Sequence, residues 1–324
     1  MVAISIMIEG QNGLNWPYWK RLVSEVEDLG FAGMFRSDHF TNARPPDKDS
    51  LEMIVSLTYL ADHTQRIHFG PLVAPLSVRN PSMLARQAAA LDDLSNGRMI
   101  LGLGAGWQER EHHLFGFDLG DVPTRFSRFE EGLEVVTRLL KSDEPVTFEG
   151  RFFQLRGATL LPQPQRPGGP RIVIGGNGVK RTLPLVVRYA DIWNGTFLSP
   201  NEFRERSSQL DKLLNEAGRR PGDVKRTLMR AVYFGRDTAE VDRRLNWLST
   251  DPDYTGKSLD EILHILFTQK HEIVGTPDMI LEQIQAYAAA GVEELMLQWF
   301  DLDDIDGLRA FAKSVLPHLL LPRL

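Results

Sequence analysis

The chain has 324 residues, a length at which a closed α/β barrel forms one domain around a single core. Its net charge of −6 argues against a nucleic-acid surface or a basic membrane patch, because both need clustered positive charge. The absence of cysteine excludes disulfides, thiolate metal sites and a cysteine nucleophile. No apolar run is long enough to cross a membrane and the apolar N-terminus lacks signal-peptide features, so we expect a cytoplasmic protein with small-molecule partners.

Short apolar runs alternate with longer amphipathic stretches along the chain, which is typical of βα units. The predicted strands are Val2–Ile8, Phe31–Phe35, Ile67–Val73, Arg98–Leu103, Arg171–Ile174, Asp191–Asn194, Leu228–Phe234 and Glu294–Phe300. The predicted helices are Trp16–Leu29, Ser50–Asp62, Pro81–Leu94, Phe126–Leu140, Val179–Tyr189, Asn201–Asn215, Thr238–Leu248, Pro277–Ala290 and Ile305–Leu316.

Eight βα units fit either a doubly wound sheet or a closed barrel, and the first turn favours the barrel. A nucleotide-binding doubly wound sheet normally has a G-x-G-x-x-G turn there, whereas this chain has Glu9-Gly10-Gln11-Asn12-Gly13. We therefore predict a single (β/α)8 TIM-barrel domain over residues 1–324. The segment 142–170, between the fourth and fifth strands, is rich in Pro, Gly and aromatic residues and predicts an insertion with a small β-hairpin.

The carboxyl ends of the second and third strands are the first places to look for catalytic groups in such a barrel. Asp38 and His39 follow the second strand, and an imidazole beside a carboxylate suits proton transfer near neutral pH. The alternative is a loop histidine bonded only to its neighbours. The third strand ends in Pro71-Leu72-Val73-Ala74-Pro75, which by itself indicates only a sharp turn.

The fourth strand leads into a segment with three alternating glycines, Gly102, Gly104 and Gly106. Glycines let the backbone approach a flat ligand closely, and the adjoining Trp107 would stack on it. The helix that follows contains Glu111-His112-His113, which lacks the histidine spacing of a zincin helix, so no metal site is predicted.

The fifth strand leads into a second glycine-rich segment, Gly175-Gly176-Asn177-Gly178. Lys180 and Arg181 follow in what we predict to be the first helical turn, and this combination favours a phosphate. The alternative is an ordinary glycine turn with two solvated cations.

In this order the motifs resemble those of the luciferase-like monooxygenase superfamily, and more closely its branch of F420-dependent oxidoreductases. The resemblance extends from the first strand to about Asn194. The segments that carry it are Gly30-Phe31, Ser37-Asp38-His39-Phe40, Thr64-Gln65-Arg66-Ile67, Arg79-Asn80-Pro81, Leu94-Ser95-Asn96-Gly97-Arg98, Gly104-Ala105-Gly106-Trp107, Gly150-Arg151-Phe152-Phe153, Ile174-Gly175-Gly176-Asn177-Gly178 and Tyr189-Ala190-Asp191-Ile192-Trp193-Asn194.

The resemblance implies a flavin-type ring across the barrel mouth, with its phosphate on the second glycine segment. It implies a non-proline cis peptide at Leu72–Val73 that forms a bulge under the ring. It also implies that His39 lies near the reacting face, with Asp38 orienting His39 or the ring. Sugar-phosphate dehydrogenases of the superfamily have Glu where this chain has Trp107, which leaves the proton donor open.

The expected reaction is hydride transfer between coenzyme F420 and an unidentified small organic substrate. One alternative is an FMN-dependent monooxygenase that uses O2, with a separate reductase that supplies reduced cofactor; another is a barrel that binds a phosphorylated ligand without redox chemistry. Relatives imply a homodimer. His39 and Asp38 are the expected catalytic residues, and the expected cofactor-binding residues are Asp38, Leu72, Val73, Gly104, Gly106, Trp107, Gly175, Gly176, Asn177, Gly178, Lys180 and Arg181.

Three segments are predicted to be loops that shape the substrate pocket, but they carry no motif that identifies the substrate. They are Glu9–Asn15, Thr41–Asp49 and Asp251–Lys270.

Overall fold

A computed structural model describes residues 2–250 and 253–320. Its strands are β1 Ala3–Ile8, β2 Gly33–Arg36, β3 His68–Pro71, β4 Ala74–Pro75, β5 Ile100–Gly104, β6 Val146–Glu149, β7 Gln154–Ala158, β8 Arg171–Gly175, β9 Ile192–Thr196, β10 Lys225–Phe234, β11 Ile273–Gly275 and β12 Glu294–Gln298. Its helices are α1 Trp16–Asp28, α2 Met53–His63, α3 Pro81–Leu94, α4 Glu109–Phe115, α5 Val122–Lys141, α6 Thr182–Tyr189, α7 Pro200–Glu216, α8 Thr238–Asn246, α9 Leu259–His264, α10 Pro277–Ala289 and α11 Ile305–Leu320.

The strands form a parallel barrel. Their order in the sheet is β3-β2-β1-β12-β10-β9-β8-β5-β4, with β11 paired to β10. The two ends of this order meet, because Phe69 in β3 forms a parallel bridge with Met99, next to β5. The predicted barrel is confirmed, and β6 and β7 form the predicted antiparallel hairpin of the insertion.

The barrel has an outer and an inner core. Most buried apolar side chains lie in the larger cluster, where the outer face of the sheet packs against the surrounding helices. The inner cluster fills the barrel below its mouth and consists of Met7, Phe35, Leu72, Ile100, Val173, Ile192 and Met296. Phe35 is fully buried there. Truncating such a phenylalanine to alanine costs about 3–5 kcal/mol.

Several helices begin where the sequence provides a capping side chain followed by proline. Asn80 precedes Pro81 and accepts hydrogen bonds from two backbone N–H groups of α3. Ser199 precedes Pro200 and forms a capping box with Glu202 in α7. Such caps stabilise a helix by about 1 kcal/mol, and proline in the first turn gives up no helical hydrogen bond.

The structure differs from the predicted elements in the third strand and near α9. The strand predicted over Ile67–Val73 is interrupted after Pro71 and resumes as β4 at Ala74. The segment Asp251–Lys270, predicted to be a loop, contains α9 and the π-helical turn Ile265–Gln269. Strand β11 was not predicted.

The described residues, 2–250 and 253–320, contain neither a membrane-spanning helix nor a metal-binding cluster. No helix there is long and apolar enough to span a bilayer. No group of three or more His, Asp or Glu side chains there is arranged to hold a metal ion.

Candidate active site

A cleft of about 590 Å³ opens at the carboxyl ends of the barrel strands. Most of its surface is apolar, as expected of a site that holds a flat organic ring. Its floor includes Leu72 and Val73, and the peptide bond between them is cis, as the sequence resemblance implies. Leu72 also packs into the inner core, so this floor is continuous with the rigid interior of the barrel.

The glycines of the first glycine segment make room for this floor. A Cβ atom on Gly104 would lie 2.5 Å from Cγ2 of Val73, and one on Gly102 would collide with the carbonyl oxygen of Pro71. Gly106 has φ +83°, and a Cβ atom there would collide with Oγ of Ser77. The contacts that require glycine are therefore with protein atoms, whereas the glycine pattern in the sequence predicted close approach of a ligand.

His39 lies on the wall of the cleft and is bonded to Glu111 of α4. Nδ1 of His39 lies 3.0 and 3.1 Å from the two carboxylate oxygens of Glu111, whose side chain is only 2% exposed. Because a carboxylate only accepts, Nδ1 must carry the proton and donate it. In the neutral ring, Nε2 then carries the free lone pair. No described residue forms a hydrogen bond with Nε2. His39 can therefore exchange a proton through Nε2.

The surroundings of His39 favour its protonated form. Burial alone would lower its pKa, but the hydrogen bond to Glu111 and the negative charges of Glu111, Glu9 and Asp38 outweigh burial and raise it above the usual 6.5. An imidazole with a raised pKa in a largely apolar cleft is suited to donate a proton near neutral pH.

Asp38 has a different partner from the one predicted. Its side chain is 2% exposed and accepts hydrogen bonds from Nε and Nη2 of Arg79 at 2.8 and 2.6 Å. Arg79 also pairs with Glu52 at 2.7 Å, so this group fixes the loop after β2. Asp38 is not among the residues that line the cleft. The prediction that Asp38 orients His39 is therefore wrong, and the carboxylate that does so belongs to Glu111.

Glu111 was not predicted as a site residue from the sequence, where the segment Glu111-His112-His113 served only to exclude a metal site. Glu111 lies four residues after Trp107, at the start of the short helix α4, and it is buried in a helix whose other acidic residue, Glu109, is exposed. Its partner His39 is 72 positions away in the sequence. A glutamate in the short helix that follows Trp107 was the available signal.

Trp107 forms the outer wall of the cleft beside His39. Its ring is edge-on to the imidazole, with centroids 5.5 Å apart and an interplanar angle of 81°. The side chain is 61% exposed, although a large apolar ring is normally covered. Trp107 thus offers an uncovered aromatic face to whatever enters the cleft.

The second glycine segment forms the opposite edge. Gly175 and Gly176 line the cleft together with Thr182. The side chain of Asn177 points back to the protein: it donates to the carbonyl oxygen of Thr196 at 2.7 Å and accepts from the N–H of Thr196 at 3.0 Å. Among the described residues, nothing accepts a hydrogen bond from the backbone N–H of Asn177 or Gly178. These free donors can bind an anion.

Lys180 and Arg181 lie outside the cleft, in a neighbouring groove. They precede α6, which begins at Thr182, so their predicted position in the first helical turn is wrong. The groove has a volume of about 410 Å³ and shares Phe126 with the cleft. The guanidinium of Arg181 lies over the ring of Phe126, 5.4 Å from its centroid. Lys180 has no ion-pair partner among the described residues, and the groove, which borders the cleft at Phe126, has more cationic than anionic side chains.

Comparisons with known proteins agree on one family. The profile described as luciferase-like monooxygenase matches residues 3–294. The chain is 28% identical to an F420-dependent glucose-6-phosphate dehydrogenase of Amycolatopsis mediterranei (strain U-32), over 91% of this chain and 92% of the relative. It is also 28% identical to a 4-hydroxyprotoasukamycin monooxygenase of Streptomyces nodosus subsp. asukaensis, over 80% and 75% of the two chains.

A solved structure has the same fold. An F420-dependent secondary alcohol dehydrogenase in complex with an F420-acetone adduct superposes with a TM-score of 0.80 and 20% identity, over 97% of this chain and 98% of that one.

Proposed function

The chain belongs to the luciferase-like monooxygenase family, and from that membership we propose its activity. It is an oxidoreductase that transfers a hydride between the deazaflavin F420 and a small organic substrate. His39 gives or takes the accompanying proton. The observation that carries this proposal is the single site in which the His39–Glu111 pair faces an apolar cleft that borders a groove with more cationic than anionic side chains.

The residues of the site fit F420. The floor formed by Leu72 and Val73 would support the ring, and the free N–H groups of Asn177 and Gly178 would bind the phosphate. F420 has a longer anionic tail than FMN, and the groove with Lys180 would take such a tail. An anion there also offsets the cations that precede α6, which are otherwise unfavourable near the positive end of a helix.

When bound, F420 supplies or accepts the hydride at its ring. The protein holds the proton at Nε2 of His39, while Glu111 fixes the ring orientation and stabilises the imidazolium. In reduction of a ketone or aldehyde, the carbonyl carbon receives the hydride and the carbonyl oxygen receives the proton from Nε2. The raised pKa of His39 increases the fraction of the imidazole that carries this proton at a given pH, and so increases the rate of the reduction.

Substitution of His39 by asparagine tests its role. We expect His39→Asn to lower turnover of ketones and aldehydes by reduced F420 by about 10²- to 10⁴-fold, the usual range for loss of an acid–base group, with F420 affinity kept. The control is His113→Asn, which changes an exposed histidine on the neighbouring helix α4. Full turnover by His39→Asn with cofactor bound would remove His39 from the mechanism.

The second candidate is an FMN-dependent monooxygenase, which the similarity to 4-hydroxyprotoasukamycin monooxygenase favours. The same floor and glycine loop would hold the ring and phosphate of FMN, but FMN has no tail to occupy the groove at Lys180. FMN affinity that exceeds F420 affinity would therefore favour this candidate.

A further inference from the structure

Glu9 lines the cleft directly after β1, and the activity proposed above assigns it no contact with the substrate. The turn that it begins, Glu9-Gly10-Gln11-Asn12-Gly13, served only to exclude a doubly wound sheet. In a barrel of this kind, the groups that act on the substrate lie at the carboxyl ends of the strands. Glu9 and His39 line the same cleft, so the substrate binds in a space with a half-buried carboxylate in its wall.

Two amides hold the carboxylate of Glu9 in place. Nε2 of Gln11 donates to Oε2 of Glu9 at 2.9 Å, and Nε2 of Gln298, at the end of β12, donates to Oε1 at 2.6 Å. Gln11 is itself fixed, because its Oε1 accepts a hydrogen bond from Oγ of Ser37 at 2.7 Å. Each carboxylate oxygen can accept about two hydrogen bonds, and each accepts one here from the described residues. Glu9 therefore has a fixed orientation and one further acceptor site on each oxygen.

No Lys, Arg or His side chain among the described residues forms an ion pair with Glu9. Arg36 packs behind the turn, where a Cβ atom on Gly10 would collide with Nη2 of Arg36. Burial lowers the pKa of Arg36 to about 10. The charges that oppose this effect of burial are mainly those of Asp38 and Glu52, and Glu9 contributes less. The hydrogen bonds that stabilise the charge of Glu9 therefore come from neutral amides.

The contact with Glu9 leaves its buried partner Gln298 incompletely bonded. Gln298 is 4% exposed, and its Nε2 points to Glu9, while its Oε1 has no hydrogen-bond partner in the described part of the chain. A buried acceptor without a partner destabilises the folded protein, and a neutral residue in place of Glu9 would not impose this orientation on the amide. Sequences break such local rules mainly at functional sites. A ligand therefore explains Glu9 better than stability does.

The charge of Glu9 acts on the imidazole of His39. Burial lowers the pKa of His39, and the charges that outweigh burial belong to Glu111 first and to Glu9 next. The two sides of this wall are also tied together. Gln11, which holds the carboxylate, is bonded to Ser37, and Ser37 lies two residues before His39. A substrate whose carbonyl group is protonated by His39 is thus exposed to the acceptor oxygens of Glu9.

We propose that Glu9 determines specificity by accepting a hydrogen bond from a hydroxyl group on the carbon next to the reacting carbonyl. This inference rests on the activity proposed above and names its substrate class, which is α-hydroxy ketones and aldehydes whose remaining part is apolar, like most of the cleft. An ammonium group is disfavoured there, because protonated His39 and Arg125 already bring positive charge to the cleft. A carboxylate at the same position would meet the like charge of Glu9.

Isothermal titration of the complex with oxidised F420 tests the proposal with three matched ketones. They are phenacyl alcohol, propiophenone, in which a methyl group replaces the hydroxyl group, and phenacyl methyl ether, whose oxygen cannot donate. We expect phenacyl alcohol to bind at least 10-fold tighter than either of the others. In Glu9→Gln, which keeps the size of the side chain, this preference should fall below 3-fold. The control Glu109→Gln changes an exposed glutamate of α4 and should keep the preference.

Turnover with reduced F420 separates specificity from a structural role of Glu9. The ratio of kcat/KM for phenacyl alcohol to kcat/KM for propiophenone should fall in Glu9→Gln by the same factor as the binding preference. Loss of a merely structural contact, or of the effect of Glu9 on the proton affinity of His39, would lower both values of kcat/KM and leave their ratio unchanged.

Equal affinity of the parent for phenacyl alcohol and propiophenone overturns the proposal, whether or not Glu9→Gln folds. An unchanged preference in Glu9→Gln overturns it as well, and so does tighter binding of phenacylamine, which carries an ammonium group. Titrations of F420 alone, and of the ketones without cofactor, separate this inference from the proposed function. F420 binding without a preference that depends on Glu9 would remove the hydroxyl site only. Binding of phenacyl alcohol through Glu9 without F420 binding would remove the F420 activity only.

Discussion

Substitution of Glu111 by glutamine tests the proton chemistry of the site most sharply. The change keeps the size of the side chain but removes the negative charge 3.0 Å from Nδ1 of His39. A hydrogen bond to a charged group contributes about 1.5–3 kcal/mol, and 1.36 kcal/mol corresponds to a factor of ten in proton affinity. We therefore expect the proton affinity of His39 to fall about 10- to 100-fold. The decrease should be nearer 10-fold, because the negative charges of Glu9 and Asp38 still raise the pKa of His39.

The assay is an NMR pH titration of the His39 ring in the parent and in Glu111→Gln. Glu109→Gln, an exposed change on the same helix, is the control and should leave the titration unchanged. At pH values above the pKa of His39, the rate at which Glu111→Gln reduces a carbonyl substrate should be lower than that of the parent by the same factor. Equal titration midpoints in the parent and Glu111→Gln would refute the reasoning.

The same contact predicts a stability difference with a definite sign. Folding raises the pKa of His39 above its usual 6.5, so protonation of His39 stabilises the folded protein. This contribution to the free energy of unfolding is fully present at pH values below 6.5 and is lost as the pH rises through the pKa of the folded state. The excess unfolding free energy of the parent over Glu111→Gln should therefore shrink as the pH rises.

The remaining predictions concern the floor of the cleft and the groove beside it. Gly106→Ala should destabilise the protein by about 1–3 kcal/mol more than Gly97→Ala in chemical denaturation, because φ is +83° and +82° at the two sites but only the first meets protein atoms. Equal losses would show that the contact with Ser77 does not matter. The double variant Lys180→Ala/Arg181→Ala should weaken F420 binding at least 10-fold but FMN binding less than 3-fold. The control double variant Lys212→Ala/Lys313→Ala changes two exposed lysines and should leave the affinity for both cofactors unchanged.

The fold was predictable because each βα unit has a local signal. Apolar runs and helical spacing identified the barrel strands, and glycine or proline marked many of their ends. The start of α6 was misplaced even though a local signal existed. Pro184 has no N–H to donate and so fits the first turn of a helix, which is consistent with a start at Thr182 and not at Val179.

The partners of the site residues were not predictable in the same way. His39 and Glu111 meet only because β2 and the helix after β5 converge at the barrel mouth, 72 positions apart. Asp38 is adjacent to His39 in sequence, yet its side chain is held by Arg79, 41 positions away. Neighbouring residues point in different directions from a loop, so adjacency alone does not identify which carboxylate orients a histidine.

The central claim is that this member of the luciferase-like family uses F420, and direct titration of the purified protein with F420 and with FMN tests it. Absorbance or fluorescence of each cofactor reports binding. The account predicts saturable binding of F420 at least 10-fold tighter than that of FMN. Tighter binding of FMN, or binding of neither cofactor, would contradict it.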